Sequence, residues 1–289
     1  MSKKVLVIGS INKDLVVNTN RFPKEGETIL GNSFSTHNGG KGANQAAAIA
    51  KLGACVSMLG AVGDDGFGIE AKEALSSINV NTDNIIVKKA SSTGIAVITV
   101  DSNGANHIVV VSGANFLISK EDIRKEIISN YDIIVLQLEI PLDIVEYVIS
   151  IARQLNKTVV LNPSPAVKLS KEVLSGVDIL IPNETEIELI GGIDYVLSCG
   201  VKNIILTLGG NGCDLIDSSK NIKHFDAYKV NVVDTTAAGD SFLGAVVRML
   251  SYDNSLEEAI LFAMKVASIT VQRKGAIDSI PTYDEVNSL

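Results

Sequence analysis

The sequence contains no tryptophan, and aromatic residues make up only 4% of its 289 positions. The core of a chain this long must therefore consist of Val, Ile, Leu and Ala, the residues typical of a buried parallel sheet. Only three cysteines occur, Cys55, Cys199 and Cys213, and none forms a Cys-x-x-Cys pair. We therefore expect reduced thiols and a cytoplasmic location.

Positive charge and long apolar runs are also scarce. The net charge is −8, so a polyanion such as nucleic acid would be repelled and is not an expected partner. The longest apolar stretch, residues 133–152, is interrupted by Gln137, Glu139, Asp143 and Glu146. Such a stretch predicts no membrane span.

Two common nucleotide-binding motifs are missing. The segment Gly40-Lys41-Gly42 does not fit GxxxxGK[ST], and no GxGxxG follows a predicted strand. The sequence therefore excludes a P-loop and gives no dinucleotide-binding fingerprint.

The sequence does contain short apolar segments that alternate with helical patterns. Strands are predicted over residues 4–9, 56–62, 133–138, 158–162, 178–182 and 203–208. Helices are predicted over residues 42–52, 68–78, 120–129, 142–155 and 184–190. This alternation predicts a single α/β domain over residues 1–289, with a mostly parallel sheet whose carboxyl ends bind ligands.

Two regions, residues 11–36 and 93–112, break this alternation because they contain strand patterns without helices. Strands are predicted over residues 14–18, 27–34, 95–100 and 106–111. We interpret the two regions as a small sheet that projects from the main body as a lid. The alternative is a pair of ordinary surface hairpins.

The segment DTTAAGD, residues 234–240, lies between a predicted strand (228–233) and a predicted helix (241–251). The backbone N–H groups of Ala237, Ala238 and Gly239 at a helix start would favour an anion such as a phosphoryl group. Asp240 could accept a proton from an attacking hydroxyl, and the helix dipole predicts a low pKa for it. The alternative is an acid that only stabilises the helix start.

Two further segments suit a polyhydroxylated ligand. In NGGKGANQ, residues 38–45, three glycines would expose the backbone, so that Lys41 and Asn44 could bind hydroxyls. In GSINKD, residues 9–14, Asn12 and Asp14 share one face of an extended segment and suit a vicinal diol. Each segment alone is also compatible with an ordinary turn.

The segments GSINKD, GGKGANQA, AVGDDGFG, NETE and DTTAAGD follow one another in an order and spacing that resemble the ribokinase (PfkB) family of carbohydrate kinases. The resemblance covers residues 5–281. It implies a ribokinase-like α/β fold, with a mostly parallel central sheet flanked by helices and a small β-sheet lid. It also implies ATP-dependent phosphorylation of a sugar. The segments LQLEIP, NPSPA and VVSGAN are similar to those of members that convert D-ribose to D-ribose 5-phosphate.

The resemblance also implies roles for individual residues. Asp240 would be the catalytic base, beside an anion hole formed by Ala237, Ala238 and Gly239. The residues implied to bind the sugar are Asn12, Asp14, Gly40, Lys41, Gly42, Ala43, Asn44, Glu139 and Asp240. Those implied to bind ATP are Asn183, Thr207, Leu208, Gly209, Gly210, Asn211, Gly212, Gly239 and Asp240.

Metal sites follow from the same resemblance. Asn183 and Glu186 would act on Mg²⁺ through water. A K⁺ cage would be formed, mostly through backbone carbonyls, by Asp234, Thr236, Thr270, Arg273, Gly275 and Ser279. Lys13, between Asn12 and Asp14, is expected to point away from the sugar.

Several alternatives remain open on the sequence alone. The substrate could be deoxyribose, fructose or a nucleoside such as adenosine, although few aromatic residues are available to hold a base. A non-catalytic sugar sensor on the same fold is a further alternative. Exposed edges of the lid strands predict a homodimer paired through the lid.

Overall fold

The computed structural model describes residues 2–288, which form two separate sheets. The strands are β1 Val5–Ile8, β2 Asn12–Asn18, β3 Ser33–Gly39, β4 Val56–Gly63, β5 Asn81–Lys88, β6 Gly94–Val100, β7 Asn106–Val111, β8 Ile133–Leu136, β9 Thr158–Leu161, β10 Ile179–Leu180, β11 Asn203–Thr207, β12 Cys213–Asp217 and β13 Ile222–Phe225. The helices are α1 Lys41–Lys51, α2 Gly66–Ser77, α3 Lys125–Ser129, α4 Leu142–Gln154, α5 Lys171–Leu174, α6 Glu184–Ile190, α7 Gly192–Ser198, α8 Ala238–Ser251, α9 Leu256–Thr270 and α10 Tyr283–Asn287.

The larger sheet has nine strands in the order β13-β12-β11-β10-β9-β8-β1-β4-β5. All pairs from β5 to β11 are parallel, and only β12 and β13 at one edge are antiparallel. The fold class predicted from the sequence is therefore confirmed.

The core of the main body lies on both faces of this sheet. In the interior strand β1, Val5 and Val7 belong to a cluster with residues of α1, α8 and α9. Leu6 and Ile8 belong to a second cluster with residues of α4, α6 and α7. Because side chains alternate along a strand, a continuous apolar run is required to fill both faces.

The smaller sheet has four strands in the order β3-β2-β6-β7. It leaves the main body at the carboxyl end of β1, where residues 9–11 alone separate β1 from β2. The side chains of its edge strand β7 are all exposed. The smaller sheet therefore projects away from the core, as predicted for a lid.

Three details of the secondary-structure prediction are wrong. The strand predicted over residues 27–34 is displaced to Ser33–Gly39. The segment 228–233 forms no strand, because its apolar side chains Val232 and Val233 are exposed and its backbone contacts the end of α9. The helix predicted over residues 120–129 is split into a 3₁₀ turn, Lys120–Asp122, and α3.

Ser255 caps α9, and its Oγ and backbone N–H exchange hydrogen bonds with Glu258 in a capping box. Within residues 2–288, no helix is long and apolar enough to cross a bilayer.

Candidate functional site

The candidate site lies where β1 ends, between the first turns of α1 and α8. Ala237 precedes α8 in the left-handed region, with φ 58°, and this conformation directs the chain into the helix. Asp240 follows in the first turn of α8 and is buried, with 7% of its surface exposed. The chain thus places a carboxylate at the amino end of a fourteen-residue helix.

Two amides from α1 hold the Asp240 carboxylate. Asn44 Nδ2 donates to Oδ2 at 3.0 Å, and Gln45 Nε2 donates to Oδ1 at 2.9 Å. Burial raises the pKa of Asp240, whereas Lys41 and the two amides act in the opposite direction. The prediction of a low pKa was therefore wrong, because loss of water outweighs the favourable charges and dipoles around the carboxylate. A raised pKa makes Asp240 a better proton acceptor than an ordinary aspartate.

A cleft of about 230 Å³ opens beside Asp240. Its lining residues are Lys41, Asn162, Ile181, Asn183, Glu186, Thr207, Thr235, Ala237, Ala238, Gly239 and Asp240. The first turn of a helix has N–H groups without acceptors inside the helix, and the dipole adds partial positive charge there. The cleft therefore suits a phosphoryl group.

One of the three predicted anion-hole N–H groups already has an acceptor. Ala238 N donates to the Thr235 carbonyl oxygen at 3.1 Å, as part of the turn that enters α8. The prediction that Ala237, Ala238 and Gly239 all direct free N–H groups to one point is therefore wrong for Ala238 in this structure.

Asn183 and Glu186 lie at the start of α6 and line the same cleft. Glu186 N donates to Asn183 Oδ1 at 2.8 Å, and Asn183 N donates to Glu186 Oε2 at 2.9 Å. Among residues 2–288, no hydrogen bond reaches Oε1 of Glu186. A carboxylate oxygen at the rim of a phosphate-sized cleft fits a hydrated Mg²⁺ ion.

Asn12, Asp14 and Glu139, which were predicted to bind the sugar, lie outside the cleft lining. Asn12 and Asp14 are both on β2, and Asn12 Oδ1 accepts from Asn115 Nδ2 at 2.8 Å. Glu139 Oε2 accepts from Ser10 Oγ at 2.5 Å and from Lys41 N at 3.0 Å. Carboxylates and amides in this arrangement can bind several hydroxyl groups at once.

The pKa of Asp14 is raised to about 6, first by burial and then by the charge of Glu139, although His37 and Lys13 act against the rise. Lys13 itself points to α2, where its Nζ lies 2.7 Å from Glu70 Oε2. The prediction that Lys13 faces away from the sugar residues agrees with this contact.

The glycines of residues 39–42 allow close packing of the backbone. A Cβ on Gly42 would lie 2.7 Å from Ser10 N, and a Cβ on Gly40 would lie 2.8 Å from Asn12 N. Gly40 also has φ 88°, a value that favours glycine. These residues let α1, which includes Ala43, pack directly on the segment that joins β1 to β2, and their part in binding a ligand stays a prediction.

The predicted ATP-binding residues are only partly brought together. Asn183, Thr207, Gly239 and Asp240 line the cleft. The remaining ones, Leu208, Gly209, Gly210, Asn211 and Gly212, form the turn between β11 and β12 and lie outside the cleft lining. In that turn Leu208 N donates to the Gly212 carbonyl at 2.8 Å.

The predicted K⁺ residues come from three segments that meet around Asp234. Thr236 N donates to Asp234 Oδ1 at 2.9 Å, and Gly275 N donates to Oδ2 at 3.0 Å. The side chains of Thr270, Arg273 and Ser279 instead bond to Val266, Glu285 and Ala276. The oxygen atoms of these segments, from backbone carbonyls, hydroxyl groups and the Asp234 carboxylate, are of the kind that a hard cation binds.

The sequence interpretation missed four polar residues that support the site: Ser10, Gln45, Asn115 and Gln137. All four are buried. All four stand inside segments quoted above, GSINKD, GGKGANQA, VVSGAN and LQLEIP, and could have been found there. Gln137 follows a buried strand, a position where an uncharged polar residue is a signal in its own right.

Comparison with known proteins agrees with this geometry. A family profile described as pfkB family carbohydrate kinase matches residues 2–283. The ribokinase of Staphylococcus aureus is 40% identical, with all of both chains covered. The deoxyribokinase of Salmonella typhi is 37% identical over 98% of this chain and 97% of its own.

A solved structure shows the same fold. The structure of Arabidopsis thaliana ribokinase complexed with ribose and ATP matches with a TM-score of 0.92 at 35% identity, and covers 100% of this chain and 98% of that one. Fold, motif order and identity over the full length lead to one conclusion: the chain belongs to the pfkB family of carbohydrate kinases.

Proposed function

We propose that this protein transfers the γ-phosphoryl group of ATP to the 5-hydroxyl of D-ribose, giving D-ribose 5-phosphate and ADP. The observation that carries the proposal is the position of Asp240. Its carboxylate lies at the amino end of α8, beside the cleft of about 230 Å³, and the amides of Asn44 and Gln45 hold it there. Relatives named ribokinase and deoxyribokinase support a pentose as the acceptor.

The sugar is bound by polar side chains around residues 9–14 and the first turn of α1. Asn12, Asp14, Asn44 and Glu139 present the oxygens and amides that hydroxyl groups need, and Lys41 N already holds Glu139 in place. Asp240 accepts the proton as the primary hydroxyl attacks. Its raised pKa favours this step, while most of the catalysis comes from positioning and charge stabilisation.

The nucleotide lies over the carboxyl ends of β10 and β11, with its phosphates toward Gly239 and Asn183. The turn of residues 208–212 is the proposed boundary of the nucleotide site on the β12 side. Asn183 and Glu186 would hold Mg²⁺ through water, and the ion would supply positive charge to the phosphates. K⁺ is proposed to bind between residues 234–236 and 270–279, where it would order the loop that leads into α8.

We further propose a cytoplasmic homodimer that pairs through the smaller sheet. The edge strand β7 exposes Ile108, Val109 and Val111, and edge strands with apolar side chains are prone to pairing. In a symmetric pair, the β7 strand of one protomer would cover the β7 strand of its partner. Static light scattering tests this, and a monomer at micromolar concentration would contradict it.

A coupled assay of ADP release tests the proposed reaction with ribose, 2-deoxyribose, fructose and adenosine. We expect turnover to be fastest with ribose, and preference for 2-deoxyribose would reassign only the contact to the 2-hydroxyl. Asp240→Asn should reduce kcat by about 10²- to 10⁴-fold, since it removes the proton acceptor. Ribose binding measured by calorimetry should persist in that variant. Binding without turnover in the unmodified protein would instead favour the sugar sensor.

A further inference from the structure

A chain of buried hydrogen bonds leads from the end of β8 through α1 to Asp240. Gln137 Nε2 donates to Gln45 Oε1 at 2.7 Å, and Gln45 Nε2 donates to Asp240 Oδ1 at 2.9 Å. Both glutamine side chains are completely buried. Neither belongs to the residues that resemblance implies for sugar, nucleotide or metal. We refer to Gln137 and Gln45 as the amide relay.

The carboxylate fixes the direction of every bond in the relay. An ionised carboxylate only accepts hydrogen bonds, so Gln45 must present its NH₂ group to Asp240. Its carbonyl oxygen then faces Gln137, which must present its own NH₂ group in turn. Gln45 Nε2 also lies 3.5 Å from Asn162 Oδ1, at the wall of the cleft. The relay therefore has one arrangement while Asp240 is ionised.

Two glycines make the space that the relay needs. A Cβ on Gly9 would overlap the Gln137 amide, so only glycine leaves room for that side chain. A Cβ on Gly244, one turn after Asp240, would overlap Ala48 and approach the backbone of Gln45 and Ile49. Close contact of α8 with α1 at this point lets the Gln45 amide reach the carboxylate.

Packing alone does not account for the relay. Burying an amide costs free energy unless all its polar atoms find partners. Within residues 2–288, Gln137 Oε1 has no hydrogen-bond partner. Met or Leu at this position would fill the same space without that cost. We therefore attribute the amide at position 137 to the hydrogen bond that it donates to Gln45.

We propose that Gln45 and Gln137 are positioning residues for Asp240: Gln137 orients the Gln45 amide, which holds the carboxylate toward the attacking hydroxyl. The inference rests on the proposed function of Asp240. The other groups that act on this carboxylate are Lys41, Asn44 and Glu139. Among residues 2–288, neither glutamine side chain forms a hydrogen bond with any of these three groups, so the effect of the relay can be tested separately from theirs.

Replacing each glutamine by methionine tests the relay, because methionine has a similar volume and favours helices. Gln45→Met should reduce kcat for ribose by about tenfold or more, since a hydrogen bond to a charged group is lost. The KM for ribose should be unchanged. Gln154→Met, the same change at the exposed end of α4, should leave kcat and KM unaltered and serves as the matched control.

The pH profile and the double variant separate positioning from general packing. The relay amide favours the ionised carboxylate, so its loss should move the acidic limb of the kcat profile to higher pH. Gln137 acts through Gln45, so Gln45→Met/Gln137→Met should be no slower than Gln45→Met alone. Wild-type kcat and pH profile in Gln45→Met would overturn the relay, as would independent, multiplying effects in the double variant.

Direct titration of the carboxyl group keeps the test independent of the substrate. In protein carrying ¹³C-labelled aspartate, the Asp240 resonance is assigned by its loss in Asp240→Asn. Its titration midpoint should be higher in Gln45→Met and in Gln137→Met than in the unmodified protein. Gln137→Met should fold, because it removes a buried oxygen that has no hydrogen-bond partner among residues 2–288. This variant is sufficient for the test if Gln45→Met does not fold. Unshifted midpoints overturn the relay, whereas no turnover with any pentose overturns only the proposed function.

Discussion

The strands β1 and β7 are both rich in valine and isoleucine, yet they have opposite environments. All four residues of β1 are completely buried between two layers of helices. All six residues of β7 are exposed at the edge of the smaller sheet. Apolar sequence therefore identifies both as strands but does not reveal which one is in the core. The main body is closely packed around its sheet, whereas the smaller sheet exposes apolar side chains along β7.

The largest effect is expected from placing one charge in each of these strands. Val7→Asp should lower the free energy of unfolding by more than about 4 kcal/mol, because the carboxylate would be buried without a partner. Val109→Asp should change it by about 0.5 kcal/mol or less, since this side chain is 63% exposed. Urea unfolding at low protein concentration measures both. An equal loss in Val109→Asp would mean that β7 is covered in solution.

A smaller effect should follow from adding one methyl group at the joint between the two regions. Gly42→Ala places a Cβ within 2.8 Å of the Ser10 backbone, so we expect a loss of about 2 kcal/mol in stability. The KM for ribose should rise because Ser10 and the Lys41 N–H both hold Glu139.

Gly66→Ala is the matched control for this substitution. Gly66 begins α2, and nothing lies within 4 Å of an added Cβ. Stability should change by less than about 1 kcal/mol, and KM should stay the same. Similar behaviour of the two variants would contradict the close packing of α1 on residues 9–14.

The third prediction concerns the pH dependence of sugar binding, which we expect to follow Asp14 on the smaller sheet. Asp14 lies on the smaller sheet with a pKa raised to about 6, whereas Asp240 lies on the main body. Protonation of Asp14 should weaken sugar binding, so the KM for ribose should rise about tenfold between pH 7 and pH 5. Asp14→Asn should show a flat KM over this range.

Stability should respond to Asp14 in the opposite direction. The folded protein holds this proton more tightly than the unfolded chain, whose aspartate has its ordinary value of 3.8. The stabilising contribution is therefore present below about pH 4 and is lost as the pH rises through 6. A steeper loss in Asp14→Asn than in the unmodified protein would contradict this assignment.

Much of the fold could be predicted from the sequence, because in the main body the pattern of apolar residues indicates directly which segments are buried. The strands before residues 9 and 137 are continuous apolar runs, and the helix starting at Lys41 follows a glycine turn. The prediction failed at residues 228–233, where Val232 and Val233 are exposed. It also failed at residues 27–34, where the turn is longer than the pattern suggested.

The site was predictable only where its chemistry is local in the chain. Asp240 stands in one short motif with its helix start, so its position could be found. Gln45 and Gln137 are 92 residues apart and meet only after α1 packs on the sheet. The raised pKa of Asp240 was missed for the same reason, since burial depends on the whole fold.

The short connection between the two sheets has a consequence for engineering. Ile11 exchanges two backbone hydrogen bonds with the Asn115 side chain, and the Ser10 carbonyl accepts from Ala43 N at 2.9 Å. The connection between the two sheets therefore depends on contacts between residues that are distant in the sequence, and a chimera must take these residues from the same parent. A chimera that exchanges lids between relatives should be spliced beyond Asn18, within the loops of the smaller sheet. A splice at the sheet boundary would exchange Asn12 and Asp14, which we propose bind the sugar, along with the lid.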